Sequence, residues 1–281
     1  MRPVVWEADF YRRPLQTERA EPLWELVLCD TRGTFRHRAS CPQSAATTEW
    51  LLAEFNQLAT HQALPDRLRV FRPQTLNLLE AIAPDLGIVV EPSRRTPLVK
   101  SWLQTLAREY PTLPNYVPQP YDPVALEKPP PLPLAENLWG DRWRFAALAA
   151  GELVEAFEGR MMPILEMPED LKPLHLGLAS TAPIPGVVID GGRQSMRLAR
   201  WLQQIHPVAL SYIPGAPDGL ILEAGLIDRW VVATFEDQEV AAAAHGFQQR
   251  QMASQGLHFL LVQPDDSGMT FSGFWLLQNL D

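Results

Sequence analysis

Polar and apolar residues alternate over Val4–Tyr11, with Val4, Trp6, Ala8 and Phe10 on one side and Glu7 and Asp9 on the other. That period of two predicts a strand. Leu23–Cys29 reads as a second strand, Asp30-Thr31-Arg32-Gly33 as a turn and Thr34–Ser40 as a third strand, so an antiparallel meander opens the chain. The period then changes: Trp50, Leu51, Phe55 and Leu58 fall at helical spacing within Ser44–His61. A short strand at Leu68–Phe71, a helix at Pro73–Ala83, a strand at Ile88–Val90 and a helix at Thr96–Glu109 complete a βββαβαβα order. Further on, a helix is predicted over Leu138–Phe157, with Trp143, Ala147, Ala150 and Val154 as its buried stripe. Then come a strand at Gly186–Ile189, a helix at Gln194–Gln204 and strands at Val208–Ile213, Leu220–Ala224 and Arg229–Phe235. An alanine-rich helix over Gln238–Gln255 and a β-pair, Leu257–Gln263 with Thr270–Leu277, close the pattern.

Nine prolines crowd residues 111–133. Proline fixes φ and removes a donor, so neither a helix nor a central strand is expected there. The stretch reads as an extended linker between an N-terminal α/β domain, residues 1–110, and a C-terminal α/β domain, residues 134–281. The fold class is therefore α/β in two mixed halves. The βββαβαβα order of the first half resembles that of ribonuclease-H-like folds.

Composition adds three constraints. A chain of 281 residues, 46% of them hydrophobic, can bury a sizeable core, and no apolar run approaches the ~20 residues that a bilayer span needs. The first residues show neither an apolar signal core nor an Arg/Ser-rich transit segment, so a cytoplasmic protein is expected. The two cysteines, Cys29 and Cys41, are too few for a disulfide framework or a four-thiolate zinc site. Charge is uneven: residues 1–110 carry a net +1 and residues 111–281 a net −10, and the cations are 21 Arg against 3 Lys. A general polyanion binder is disfavoured, whereas a local Arg-rich face is not.

Candidate chemistry divides into two kinds. Two-metal phosphodiester cleavage needs several carboxylates around ions about 4 Å apart. Glu7, Asp9, Glu25, Asp30, Glu54, Glu80 and Glu91 are available in the first half. With Trp6 and Phe10 on the buried side of their strand, Glu7 and Asp9 are expected on the solvated side. No Gly-x-Ser-x-Gly elbow is present, the six histidines lack metal-ligand spacing, and no cofactor or metal is expected. The glycine-rich turn Asp190-Gly191-Gly192-Arg193-Gln194-Ser195 could hold an anion at a helix start, or be a tight turn and nothing more.

Nucleic-acid chemistry has the more distributed signal. Arg12 and Arg13 follow Tyr11, Arg36 and Arg38 point to one face of a strand, Arg72 follows Phe71, and Arg94 and Arg95 open a helix. Arg193, Arg197 and Arg200 recur at helical spacing. Arginine grips phosphate with two donors, and Trp6 and Tyr11 could stack unpaired bases if they are exposed.

Longer motifs run through both halves. They include Trp6-Glu7-Ala8-Asp9-Phe10-Tyr11-Arg12-Arg13-Pro14, Trp24-Glu25-Leu26, Cys29-Asp30, Phe71-Arg72-Pro73-Gln74 and Pro92-Ser93-Arg94-Arg95-Thr96. Leu138-Trp139-Gly140-Asp141-Arg142-Trp143-Arg144-Phe145, Gly192-Arg193-Gln194-Ser195-Met196, Leu222–Trp230 and Gly273-Phe274-Trp275-Leu276-Leu277 continue the series. Together they resemble the TAB/ATAB translation factors of oxygenic phototrophs. The resemblance implies an RNA-binding protein without known catalytic activity, which binds an A/U-rich single-stranded 5′ leader and promotes translation of photosystem I reaction-centre messages. Plant and algal members act in the chloroplast; a chain without a transit segment is expected to be a cyanobacterial-type member. Ribosomal or photosystem assembly factors are possible further partners. The resemblance assigns no RNA contacts. The expected set, Trp6, Tyr11, Arg12, Arg13, Arg36, Arg38, Arg72, Arg94, Arg95, Arg193 and Arg197, rests on the arginine and aromatic pattern. Two other readings stay open: a metal-dependent nuclease using Glu7, Asp9 and Asp30, and a protein-binding assembly adaptor.

Overall fold

The opening alternation becomes a twelve-residue strand, β1 (Val5–Gln16), the centre of a five-stranded sheet in the computed structural model, which describes residues 3–280. β2 (Pro22–Asp30) and β3 (Arg36–Pro42) extend the sheet antiparallel on one side. β4 (Arg67–Val70) and β5 (Val89–Pro92) extend it in parallel on the other, giving the order β3-β2-β1-β4-β5. The helices are α1 (Thr48–Ala59), α2 (Pro73–Leu86) and α3 (Pro97–Glu109), so the element order is the predicted one. Local chemistry sets the helix ends. The Thr47 side chain accepts from the Trp50 amide ahead of α1, and α2 and α3 each begin at a proline, where a missing N–H costs nothing.

Both faces of this sheet are covered. Trp6, Ala8, Phe10, Leu26 and Leu28 pack against α1 and α2. On the other face Val27, Cys29 and Phe71 meet Val99, Leu103 and Leu106 of α3. The proline-rich stretch adds to that second layer. It does not hang in solvent as a free linker would. Leu113, Tyr116, Tyr121, Val124 and Leu126 join the core under α3, and the amides of Gln16 and Val117 donate to the carbonyls of Asn115 and Pro14. The first compact unit accordingly runs through Glu127.

The second unit, residues 128–281, carries two sheets. Its elements are β6 (Leu132–Pro133), β7 (Arg142–Ala149), α4 (Ala150–Phe157), β8 (Ile164–Glu166), β9 (Pro183–Asp190) and α5 (Ser195–Ile205). They continue with β10 (Pro207–Ile213), β11 (Asp218–Ala224), β12 (Asp228–Phe235), α6 (Gln238–Ala253), β13 (Leu257–Gln263) and β14 (Gly273–Gln278). The sheets have the orders β10-β11-β12-β6 and β7-β9-β13-β14-β8.

One predicted element is corrected. Residues 138–157 do not form one helix: the first part is β7, paired antiparallel with β9 from Arg142↔Asp190 to Ala149↔Pro183, and only Ala150–Phe157 is helical. The alternating Arg142-Trp143-Arg144-Phe145 carries the strand signal. The alanines that follow are neutral to either period, and pairing with a neighbouring strand outweighs their helical propensity.

A buried imidazole ties two strands of different sheets together. His258 on β13 is fully buried; its Nε2 accepts from the Leu210 amide of β10 at 2.8 Å, and its Nδ1 lies 2.8 Å from the Gly256 carbonyl. The ring is therefore neutral with its proton on Nδ1. Desolvation holds its pKa down at about 4, against an ordinary 6.5. Below 6.5 the unfolded chain takes a proton that the folded chain refuses. Stability is thus full above that pH and falls as the pH drops towards 4, by about 3 kcal/mol. Denaturant titrations between pH 4 and 8 should show this slope, and His258→Asn should start less stable at pH 7 but lack that part of it.

Candidate nucleic-acid interface

The covered second face of the first sheet decides the fate of several candidate residues. Asp9 and Glu7 project onto it and are buried, not solvated as their alternation with Trp6 and Phe10 predicts. The reason is that α3 and residues 113–126 lie over this face. Asp9 sits between two guanidinium groups: Oδ2 accepts from Arg13 Nη2 and Oδ1 from Arg72 Nε, both at 2.9 Å. Arg72 spends its other nitrogens on the carbonyls of Ala125 and Pro123, at 2.8 and 2.9 Å, and stacks 4.0 Å from the centre of the Tyr11 ring. Arg13 reaches the Tyr121 hydroxyl and Glu25. Glu25 in turn accepts from the Tyr110 hydroxyl at 2.6 Å and from Arg38 Nε at 2.5 Å. Burial pushes the Tyr110 phenol above its ordinary value, which keeps it a donor.

Arg13 and Arg72 are thus internal clamps, engaged by buried partners. Trp6 is fully buried and stacked on Phe35 at 4.3 Å, so it cannot meet a base. Arg94 is 5% exposed, and burial withdraws it from a solvent-facing role. Tyr11 is half-buried with one ring face given to Arg72, and Arg95 is half-buried. Arg12, Arg36 and Arg38 reach water. Arg36 and Arg38 do share a face, laid over Trp102 and Tyr110 at 5.3 and 5.6 Å.

The carboxylates of the nuclease reading are dispersed and individually engaged. Glu7 Oε2 accepts from the Val99 amide at the start of α3, 2.8 Å away, in place of a side-chain cap that Thr96 does not provide. Burial raises its pKa. Asp30 accepts from the amides of Thr34 and Phe35 and from the Thr34 hydroxyl within its turn. Among the described residues no three His, Cys, Asp or Glu side chains converge on one point.

The glycine-rich turn is a tight turn and not an anion cradle. Its Gly191 and Gly192 amides are spent on the carbonyls of Gln263 and Pro264. The Asp190 carboxylate, held by Arg144 and Gln263 at 2.8 Å each, adds a negative charge beside it. A Cβ at Gly191 would lie 2.7 Å from the Ser195 Cα, so the close approach requires glycine.

The second unit does bring arginines and aromatics together at its surface. On α5 the core takes Leu198 and Leu202, which leaves Arg197, Arg200, Trp201 and Gln204 along one outward stripe. With Asn137 and Leu138 of the preceding loop they line an open hollow of about 410 Å³. Leu138 also belongs to a neighbouring hollow lined by Trp139, Arg142 and Trp143, where the Trp139 ring is 58% exposed. Arg142 and Arg144 have acidic partners in Asp266 and Asp190. Arg193, Arg197 and Arg200 are exposed, and none of them has a carboxylate of a described residue within ion-pair distance. Sequence reading singled out Arg193 and Arg197 as candidates. It did not single out Trp139 or Trp201, because a tryptophan is a core residue by type and its exposure comes only from three-dimensional placement.

Comparison with known proteins bears on both units. The family model described as "RNA-binding protein Tab2/Atab2 N terminal" matches residues 5–106, and that of the "RNA-binding protein Tab2/Atab2, C-terminal domain" matches residues 121–278. The chain belongs to the Tab2/Atab2 family. "Protein TAB2 homolog, chloroplastic" of Zea mays is 33% identical over 98% of this chain and 71% of that protein. The Arabidopsis thaliana protein of the same name is 28% identical over 98% of this chain and 74% of that protein. Among solved structures, the HTLV-2 integrase catalytic core domain in complex with magnesium overlaps 39% of this chain and 75% of that chain, at 14% identity and a TM-score of 0.28. A score that low carries no argument about chemistry. Residues 121–127 fall within the C-terminal Tab2/Atab2 match and yet pack in the first unit, against Arg13 and Arg72. No helix of the described residues is long and apolar enough to cross a membrane.

Removing Asp9 leaves two buried guanidinium groups uncompensated. Asp9→Ala should cost about 3–5 kcal/mol and expose residues 113–126 to protease. Urea denaturation and limited proteolysis measure the two effects, and a stable, protease-resistant variant would refute the clamp.

Proposed function

We propose that this chain binds single-stranded RNA of an A/U-rich 5′ leader and promotes translation of photosystem reaction-centre messages, working in the cytoplasm of an oxygenic phototroph. Membership of a family described as RNA-binding supports the RNA. The observation that carries the reading to a surface is the trio Arg193, Arg197 and Arg200. These cations lack carboxylate partners among the described residues, although residues 111–281 carry a net charge of −10. Cations that an acidic segment leaves uncompensated are suited to an external polyanion. Trp139 and Trp201 beside them offer ring surface to unpaired bases. Arg12, Arg36 and Arg38 of the first unit would add phosphate contacts of their own, and Arg95 and the free side of Tyr11 lesser ones. The reading contains no catalytic step. Ribosomal or photosystem assembly factors are further partners under this proposal.

The test is fluorescence anisotropy with short A/U-rich and G/C-rich RNAs, first in EDTA and then in Mn²⁺. The expected result is binding in EDTA that prefers the A/U-rich strand, with no cleavage when metal is added. Affinity should fall with salt at a slope near −0.7 per neutralised phosphate. Cleavage in Mn²⁺ would turn the reading towards the nuclease. Arg12→Ala combined with Arg36→Ala, exposed side chains on opposite faces of the first sheet, should weaken binding several-fold with the fold intact; unchanged affinity removes both residues from the interface.

A further inference from the structure

The hollow beside α5 has more order than a charged patch requires. Arg197, Arg200, Trp201 and Gln204 stand at i, i+3, i+4 and i+7 of one helix, the spacing that lines side chains up on one face. Asn137, on the short helical turn Glu136–Leu138, and the buried Leu138 complete the lining. The Trp201 ring is braced edge-on against Trp230, with centroids 5.2 Å apart and planes at 81°. No carboxylate lines the hollow, which argues against a metal ion or a cationic ligand.

Two guanidinium groups one helical turn apart, with no acid near them, repel each other in the empty protein. Such a pair is relieved by an anion with several oxygens. Phosphate is the fit, because each planar fork can donate two parallel hydrogen bonds to it. A free phosphate ion would have no use for the rest of the lining. An indole ring, an apolar floor and two carboxamides are instead the groups that receive a base. Side-chain amides offer a donor and an acceptor side by side, the pairing that suits adenine best. The volume of about 410 Å³ is within the range of small-molecule sites.

Resting on the RNA reading above, we propose that this hollow is a subsite for one unpaired nucleotide of the bound strand. Arg197 and Arg200 hold its phosphate, Trp201 supports its base, and Asn137 and Gln204 favour adenine. The preference for A/U-rich strands then has a local origin. An adenine is selected here, and the rest of the strand is held by its backbone and by its freedom from stable pairing.

The experiment compares the full chain with two double variants, Arg197→Gln/Arg200→Gln and Asn137→Ala/Gln204→Ala. The probes are fluorescein-labelled oligo(A), oligo(U) and a mixed A/U 12-mer. All four substituted side chains are exposed, so thermal melts should be unchanged and confirm folding. The arginine variant is expected to bind every strand about tenfold or more weakly, with a salt slope shallower by about 0.7, the share of the one phosphate that both arginines hold. The amide variant is expected to keep its oligo(U) affinity and lose most of any preference for oligo(A). If the wild type binds RNA and the arginine variant matches it in affinity and slope, the subsite is overturned while the RNA reading stands. If the arginine variant is weakened but the amide variant keeps full oligo(A) preference, the base-reading part falls and the phosphate contact stays. A wild type that binds none of the three strands overturns the subsite and the RNA reading together.

Discussion

A carboxylate with no access to water must be met by positive charge, and the first half of this chain is built around meeting one. Asp9 lies on the central strand, fully buried, between Arg13 from the same strand and Arg72 from the start of α2. Neither arginine is satisfied by Asp9 alone. Arg72 needs acceptors for its remaining donors and finds them in main-chain carbonyls of the proline-rich stretch, while Arg13 finds Tyr121 and Glu25. Each partner fixes the next: Glu25 holds Tyr110 at the end of α3 and Arg38 on the sheet edge. A network of this kind is costly when incomplete and confers definition when complete. It explains why a stretch with a linker's composition is docked, and why two arginines that look like phosphate ligands in the sequence are not available to one.

The sequence makes this fold legible to different degrees in its two halves. The βββαβαβα order follows from clean changes of period, such as that between the alternation at Trp6-Glu7-Ala8-Asp9-Phe10 and the helical spacing of Trp50, Leu51 and Phe55. The side of the sheet that Asp9 and Glu7 face is also correct. What alternation cannot reveal is a second layer, supplied by α3 and by residues far along the chain, that turns a polar face into an interior. In the second half β7 hides because alanine serves helix and strand equally, and β6 and β8 are too short to show a period at all.

The candidate site was legible by residue type and not by exposure. Arginine is the right residue for phosphate anywhere in the chain, so the sequence could not separate Arg13 and Arg72, with internal partners, from Arg193 and Arg197, which have no carboxylate partner among the described residues. The deciding quantity is the presence of a counter-charge, and that comes only from three-dimensional placement. The net −10 of residues 111–281 looked like an obstacle to RNA. It instead sharpens the contrast: no carboxylate of a described residue lies within ion-pair distance of Arg197 or Arg200 on the outer stripe of α5.

The way Arg72 holds the proline-rich stretch has a consequence for how this region can change over time. Its contacts are with the carbonyl oxygens of Pro123 and Ala125, atoms that every residue type possesses. The clamp therefore recognises the route of the backbone and is indifferent to most of its side chains. Substitutions at the exposed Asp122 and Ala125 should accumulate freely in related chains, whereas Val124 and Leu126 are held by the core under α3. An insertion or deletion there would slide both carbonyls out of reach and strand a buried charge. Variation in sequence with constancy in length is the pattern that such a contact imposes.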